Sequence, residues 1–406
     1  MGLKIIQMNG TYGNADSTGR NAKEMHEWLI QQGYESEVWT SRVNDLGYSD
    51  PNVHIYSSAT DRKIHALLSR ITGLQGYFSR KATRNLIRAI KNEKDIVVML
   101  GVLHDNSINL PLLYRFLAKN NIPTILVLHD CWYFTGHCCY YSEIDCFKWM
   151  TRCKKCPSMH QWNNSWFFNT ASKCLRDKQK WYGRIPRLAV VGVSDWILSE
   201  AKMSILKNSK QLQRIYNWID LDVFKPQPIE NLRAELNLQD DKPVLLGVAA
   251  IWNNKKGLQE MLLAAKKFPN ANVVLIGQLP PDVDVPDNVI TLGLIKNMQK
   301  LAMYYAVADV FLNPSIQETF GKTTAEAICC GTPVVAYKTT ACTELVGTER
   351  GVLTTLGDAD AFMAGIEYVL QCGKQSFETD CVDFAHQNFS KDANINAYVN
   401  LAKSLL

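Results

Sequence analysis

At 406 residues, with 47% apolar and 20% charged side chains, the chain has an ordinary globular composition and exceeds the length at which one core usually stops growing, so two domains are expected. A net charge of +5 does not by itself argue for a nucleic-acid partner. No apolar run approaches the roughly 18 residues of a membrane span and residues 1–30 lack a leader pattern, which sets the expectation of a cytoplasmic protein.

Residues 4–8 form a short apolar run, followed by the loop Asn9-Gly10-Thr11-Tyr12-Gly13-Asn14-Ala15-Asp16-Ser17-Thr18-Gly19-Arg20 and a helical pattern over 21–32. Strand, glycine-rich loop and helix open a doubly wound α/β domain, although the glycines lack dinucleotide-fingerprint spacing. Residues 37–40 and 53–56 read as further strands. Residues 61–94 are a basic helical region that includes Arg70, Arg84 and Arg88; it reads either as a solvated face or as a surface for anionic lipid or a polyprenyl phosphate. Runs 95–100 and 124–128 are apolar at strand length, as in a parallel sheet covered on both faces. The second delivers His129 and Asp130 at a carboxyl end, where open α/β sheets bind ligands. Five cysteines, Cys138, Cys139, Cys146, Cys153 and Cys156, then fall within nineteen residues, which in a long leaderless chain points to metal or reduced thiols. A helix over 165–182, a strand over 188–193 and a helix start at Ser194-Asp195 lead to a stretch punctuated by Pro226 and Pro228, the expected domain junction.

The second half repeats the alternation, with strands over 244–249, 273–276 and 310–312 and helices over 257–268, 297–307, 358–370 and 394–405. Within it, 313–337 reads NPSIQETFGKTTAEAICCGTPVVAY: strand, loop, helix, turn, strand. Gly321 lets the backbone approach a ligand, and the helix it opens presents free N–H groups suited to phosphate. Glu318 and Glu326 would sit about 80° apart on one continuous helix, so Glu318 is placed in the loop and Glu326 in the helix.

Glu318, Phe320-Gly321, Glu326 and Gly331-Thr332-Pro333-Val334-Val335 in this order resemble the signature of glycosyltransferase family 4, retaining nucleotide-sugar-dependent enzymes of the GT-B fold. The N-terminal glycine loop, Ser194, Asn217, Asp220, Lys256-Gly257 and Gly277 also fit in order, so the resemblance covers nearly the whole chain. It implies an α/β architecture of two Rossmann-like doubly wound domains facing across a cleft. Residues 1–220 would bind acceptor and carry a Cys-rich insertion at 131–160, 221–385 would bind the nucleotide sugar, and 386–406 would return as a helix to the first domain. The stretch from His129 to Cys138, with Cys146, Trp149, Cys153, Cys156 and Pro157, is similar to the colanic-acid-type branch, which builds capsular, exopolysaccharide or O-antigen units on a lipid carrier. One position departs from the family: Ile251 stands where Arg is common, leaving Lys255 as the second cation, and the two cations differ in phosphate geometry.

The resemblance implies transfer of a hexose, with retained configuration, from a nucleoside diphosphate sugar to a lipid-linked oligosaccharide in bacterial surface polysaccharide or lipopolysaccharide synthesis. The enzyme would be cytoplasmic and peripheral on the inner face of the plasma membrane. Lys256, Lys255 and the backbone at Gly321, Lys322 and Thr323 would hold the diphosphate, whose charge grows as the bond breaks, with Phe320 and Gly277 in the same donor site. Glu318 would hold sugar hydroxyls and Glu326 the ribose hydroxyls. His129 would steady donor sugar or acceptor, with Asp130 orienting it or touching acceptor hydroxyls. Gly13, Ser17, Thr18 and Gly19 would touch sugar, diphosphate or acceptor, or simply make a turn. Family retention is attributed to front-face attack, so no nucleophile is named; GT-B enzymes of this type generally need no metal, so no catalytic metal or other cofactor is expected. Cys138, Cys146, Cys153 and Cys156 offer four thiols for a structural zinc, with reduced core thiols or a disulfide as the other readings. A nucleotide-sugar epimerase on the same fold and a basic zinc-knuckle module for nucleic acid are the competing functions; the Glu318/Glu326 pair argues against the second.

Overall fold

The computed structural model describes residues 3–14, 16–45, 47–228, 232–236, 238 and 242–406. The chain divides into two units, Met1–Ile215 with Ile395–Leu406, and Tyr216–Asn394.

The first unit runs β1 (Lys4–Tyr12), α1 (Ser17–Gln31), β2 (Glu35–Val43), β3 (Val53–Ile55), α2 (Ala59–Thr72), α3 (Arg80–Ile90), β4 (Ile96–Leu100), α4 (Leu110–Lys119), β5 (Thr124–Leu128), α5 (Ala171–Tyr182), β6 (Leu188–Gly192), α6 (Asp195–Met203) and β7 (Gln211–Arg214). Its described strands form one parallel sheet in the order β3-β2-β1-β4-β5-β6-β7. β4, β5 and β6 are buried at every position, so their side chains are apolar in continuous runs instead of alternating. The edge strand β7, QLQR, is only half-buried and carries no apolar signal.

The second unit holds α7 (Leu232–Glu235), β8 (Val244–Ile251), α8 (Leu258–Lys267), β9 (Asn272–Gln278), β10 (Val289–Leu292), α9 (Met298–Val307), β11 (Val310–Asn313), α10 (Lys322–Cys329), β12 (Val334–Tyr337), α11 (Cys342–Val346), β13 (Gly351–Thr354), α12 (Ala359–Cys372) and α13 (Gln375–Asn388). Its described strands pair in parallel in the order β10-β9-β8-β11-β12-β13. α14 (Lys391–Leu405) lies mainly in the first unit, where Arg187 donates to the carbonyls of Leu405 and Leu406 at 3.1 and 3.0 Å.

Local chemistry explains where these elements differ from the sequence reading. β1 continues to Tyr12 because Thr11 and Tyr12 stay in register with Arg42 and Val43 of β2. The basic region splits at Gly73, a left-handed C-cap at φ 72° where a Cβ would lie 2.5 Å from Thr170 Oγ1. The helix expected from 165 begins only at Ala171, because the Ser165 hydroxyl accepts from the Phe168 amide and donates to the Phe168 carbonyl, a local turn that competes with helix.

Both sheets reverse strand order once, between β1 and β4 and between β8 and β11. Ligands of doubly wound sheets bind outside the carboxyl ends at such switch points.

Candidate functional site

In the second unit, β8 and β11 leave the sheet side by side and bring two loops together. After β8, Asn253 Oδ1 accepts from the Lys255 and Lys256 amides at 2.9 and 3.1 Å, closing a 3-10 turn that fixes both lysines. Gly257 follows at φ 72°, and a Cβ there would lie 2.3 Å from Pro314, the first residue after β11. The second loop is pinned on both sides: the Ile316 amide donates to the Lys255 carbonyl at 3.1 Å and the Glu318 amide to Thr340 Oγ1 at 2.8 Å.

These constraints set Lys256 Nζ 2.6 Å from Glu318 Oε1. Burial would lower the Lys256 pKa, but the Glu318 carboxylate outweighs it and holds the ammonium above its ordinary value. Three residues past Glu318, Gly321 is the N-cap of α10 at φ 84° and has no side chain to shield the helix start at Lys322 and Thr323. A cation, a carboxylate and a helix N-terminus thus adjoin. In a nucleotide sugar the β-phosphate and the hexose are bonded, so groups that hold them must adjoin in this way.

Glu326 is 2% exposed inside α10 and accepts from Tyr305 Oη at 3.1 Å. Phe320 is buried, packing on Tyr216 and Phe389 at centroid distances of 5.8 and 5.7 Å, so its side chain belongs to an aromatic cluster. Gly277 is required by the sheet itself: at φ 126°, a Cβ would overlap the Ala249 carbonyl. Ile251 ends β8 and is 59% exposed.

In the first unit, the glycine loop is organised by Asp16, which sequence reading passed over. Its Oδ1 accepts from the Gly19 amide, Thr18 Oγ1 and Thr11 Oγ1 at 2.8, 2.9 and 3.0 Å, and its Oδ2 from Asn44 at 3.1 Å. The N-terminus of α1, at Ser17, therefore already carries a carboxylate. Gly13, at φ 117°, passes Asp45, where a Cβ would lie 2.8 Å from Oδ1.

His129 and Asp130 follow β5 directly. Asp130 accepts from His104 Nε2 at 2.7 Å and from the Trp132 amide at 2.8 Å. Burial would raise the Asp130 pKa, but the His104 charge overrides it and keeps the carboxyl ionised. Burial likewise works against protonation of His104, yet Cys139 and Asp130 push its pKa well above the ordinary imidazole value. His104 was invisible in sequence because it lies 26 residues from Asp130; only the β4–β5 pairing brings the two strand ends together.

The cysteine-rich stretch gathers Cys138, Cys146, Cys153 and Cys156 around one small pocket, together with His137. His137 Nε2 lies 3.1 Å from Cys156 Sγ. Hydrogen bonding from Cys138 draws the Cys156 thiol well below its ordinary pKa, while Cys138 moves up. No cysteine among the described residues is in a disulfide.

Residues 228–385 match the family described as "Glycosyl transferases group 1". The D-inositol 3-phosphate glycosyltransferase of Mycobacteroides abscessus is 30% identical over 182 residues, which are 38% of this chain and 41% of that protein. The chain thus spans about two fifths of the length of such curated relatives. Sucrose-phosphate synthase from Thermosynechococcus elongatus superposes with a TM-score of 0.70 at 17% identity, covering 99% of both chains. Anabaena Alr3699/HepE in complex with UDP-glucose does so with a TM-score of 0.64 at 16% identity, again over 99% of each. These likenesses extend over both units and show the fold, two Rossmann-like parallel-sheet domains of GT-B type.

Proposed function

We propose that this chain, whose residues 228–385 match the group 1 glycosyltransferase family, transfers a hexose from a nucleoside diphosphate sugar to a lipid-linked oligosaccharide of a surface polysaccharide. The observation that carries the donor half is the Lys256–Glu318 pair at 2.6 Å beside the N-terminus of α10, which Gly321 begins. Lys256, Lys255 and the α10 amides at Gly321, Lys322 and Thr323 stabilise the diphosphate as it departs. Glu318 orients the sugar, and Glu326, steadied by Tyr305, accepts from the ribose hydroxyls. Arg at position 251 is replaced by an exposed Ile, so Lys255 supplies the second cation. A structural neighbour that holds UDP-glucose supports a nucleotide sugar as donor.

The acceptor half rests on the first unit. His129 meets the reacting sugar or the acceptor, and the His104-held Asp130 carboxylate accepts from acceptor hydroxyls. The resemblance of the His129–Cys156 stretch to the colanic-acid-type branch supports a polysaccharide repeat unit as acceptor. No helix among the described residues is long and apolar enough to cross a membrane. A lipid-linked acceptor then requires peripheral docking, which the basic and apolar surface of α2 supports: Lys63, Ile64, Leu67 and Arg70 are exposed on it.

A thermal-shift panel of UDP-, GDP-, ADP- and dTDP-sugars tests the donor assignment, because a ligand at 100 times its Kd stabilises by about 2.7 kcal/mol. One nucleotide class should raise the melting temperature, and Lys256→Ala and Glu326→Ala should each shrink the shift. No shift with any nucleotide sugar, or full shifts in both variants, would overturn the reading. Turnover that requires no acceptor would point to an epimerase.

A further inference from the structure

Between β5 and α5 the chain has only two short 3-10 turns, Ser142–Ile144 and Phe147–Met150. A connection that long needs something other than a backbone ladder to hold it. Part of the answer is aromatic: Trp149 packs on Phe134 and Tyr141 at centroid distances of 5.0 and 5.1 Å. Beside Trp149 lies the pocket lined by His137, Cys138, Cys146, Cys153 and Cys156. The Trp149 indole N–H, buried there, finds no acceptor among the described residues.

The ligand atoms of His137, Cys138 and Cys156 all lie within 4.8 Å of one another. Zn–S bonds of about 2.3 Å and Zn–N bonds of about 2.0 Å place tetrahedral neighbours roughly 3.5–3.8 Å apart, so small side-chain adjustments close the set. His137 is oriented for ligation. Its Nδ1 is 3.3 Å from the Asn163 carbonyl, and Asn163 Nδ2 donates back to the His137 carbonyl at 3.2 Å. With Nδ1–H donating to a carbonyl, the Nε2 lone pair faces the sulfurs, the arrangement in which metal-bound imidazoles are commonly held.

The Cys153-Lys154-Lys155-Cys156 turn adds a second line. Cys153 and Lys155 both stand at φ 47°, a left-handed conformation that costs of order 1 kcal/mol or more per non-glycine residue and persists only where surroundings impose it. Lys148, Arg152, Lys154 and Lys155 in the same stretch offset the negative charge that metal-bound thiolates carry.

We infer that His137, Cys138, Cys153 and Cys156 form a structural Zn²⁺ site that locks the β5–α5 connection, with Cys146 at its edge. His137 thereby takes the place that an all-cysteine set gives to Cys146. The metal displaces the remaining thiol protons, and the site folds the stretch that follows His129 and Asp130 without touching the proposed reaction. It stands on the first unit alone, so it fails or holds independently of the donor assignment.

The test is metal analysis of the full chain, produced in zinc-supplemented medium and purified without chelator. About one Zn²⁺ per chain is expected. Co²⁺ exchanged into the protein should give sulfur-to-cobalt charge-transfer bands and the visible bands of a tetrahedral ion. Cys138→Ser, Cys156→Ser and His137→Ala should each lose the metal, while Cys146→Ser and the exposed-thiol control Cys372→Ser keep it. Less than about a tenth of an equivalent of zinc in wild-type protein with a native circular-dichroism spectrum overturns the site, whatever the variants do. Full metal in both Cys138→Ser and Cys156→Ser overturns it too. Loss in Cys146→Ser with retention in His137→Ala replaces this ligand set by four thiolates.

Discussion

Gly257 is the residue on which the donor half turns. It must adopt φ 72° and lie against Pro314, so it holds the Lys256 loop to the loop that carries Glu318. Gly257→Ala is expected to cost roughly 1–3 kcal/mol from backbone strain alone, and more from the overlap with Pro314. It should also weaken nucleotide-sugar binding by displacing Lys256. Gly293, with nothing within 4 Å of an added Cβ, is the control: Gly293→Ala should leave stability and binding near wild type. Denaturant titrations with and without nucleotide sugar read both effects, and equal behaviour of the two variants would refute the argument. At this scale much was legible, because Glu318, Gly321 and Glu326 announce themselves by residue type and spacing. Asp16 and His104 did not, since an N-cap and a half-buried ion pair become functional candidates only through neighbours distant in sequence.

α2 and the segment that meets its C-terminus carry the membrane proposal at the level of elements. The Trp166 amide donates to the Arg70 carbonyl at 2.6 Å, so Trp166, Phe167 and Phe168, exposed by 46, 67 and 57%, extend the surface of a helix that already exposes Ile64 and Leu67. α3 buries Ala82, Thr83, Leu86 and Ile90 and leaves Lys81, Arg84 and Arg88 in solvent. Each basic side chain near an anionic surface is worth about 1 kcal/mol, so Arg84→Glu/Arg88→Glu should weaken binding to phosphatidylglycerol vesicles roughly tenfold or more. Phe167→Ser/Phe168→Ser should weaken it further even at high salt, because that contribution is apolar. Sedimentation with vesicles measures both, and unchanged partition of both variants removes the membrane proposal. The basic helices were evident from composition; the exposed aromatic run was not, because periodicity assigned residues 165–170 to a helix that the Ser165 turn prevents.

For the molecule as a whole, stability against pH is set in part by one buried cation. Lys178 is 2% exposed and donates to the carbonyls of Trp132 and Thr135, tying α5 to the chain beyond β5. Burial pushes its pKa from 10.5 down to about 8. The unfolded chain therefore holds this proton more tightly, and the cost to the folded state is complete below pH 8 and is relieved as pH rises from about 8 to 10.5. Relative to Lys178→Met, wild-type protein should gain up to about 3 kcal/mol across that window, measured by denaturant unfolding at stepped pH. A difference independent of pH would refute it. The sequence by itself determined the α/β alternation, the doubly wound parallel architecture and the Glu318–Glu326 constellation, because apolar strand runs, glycine punctuation and ordered motifs are local properties. Tertiary structure alone decided that Lys256 pairs with Glu318, that Asp130 is held by His104 and that His137 joins the thiols, because strand order and loop pinning bring together groups whose separation along the chain carries no signal.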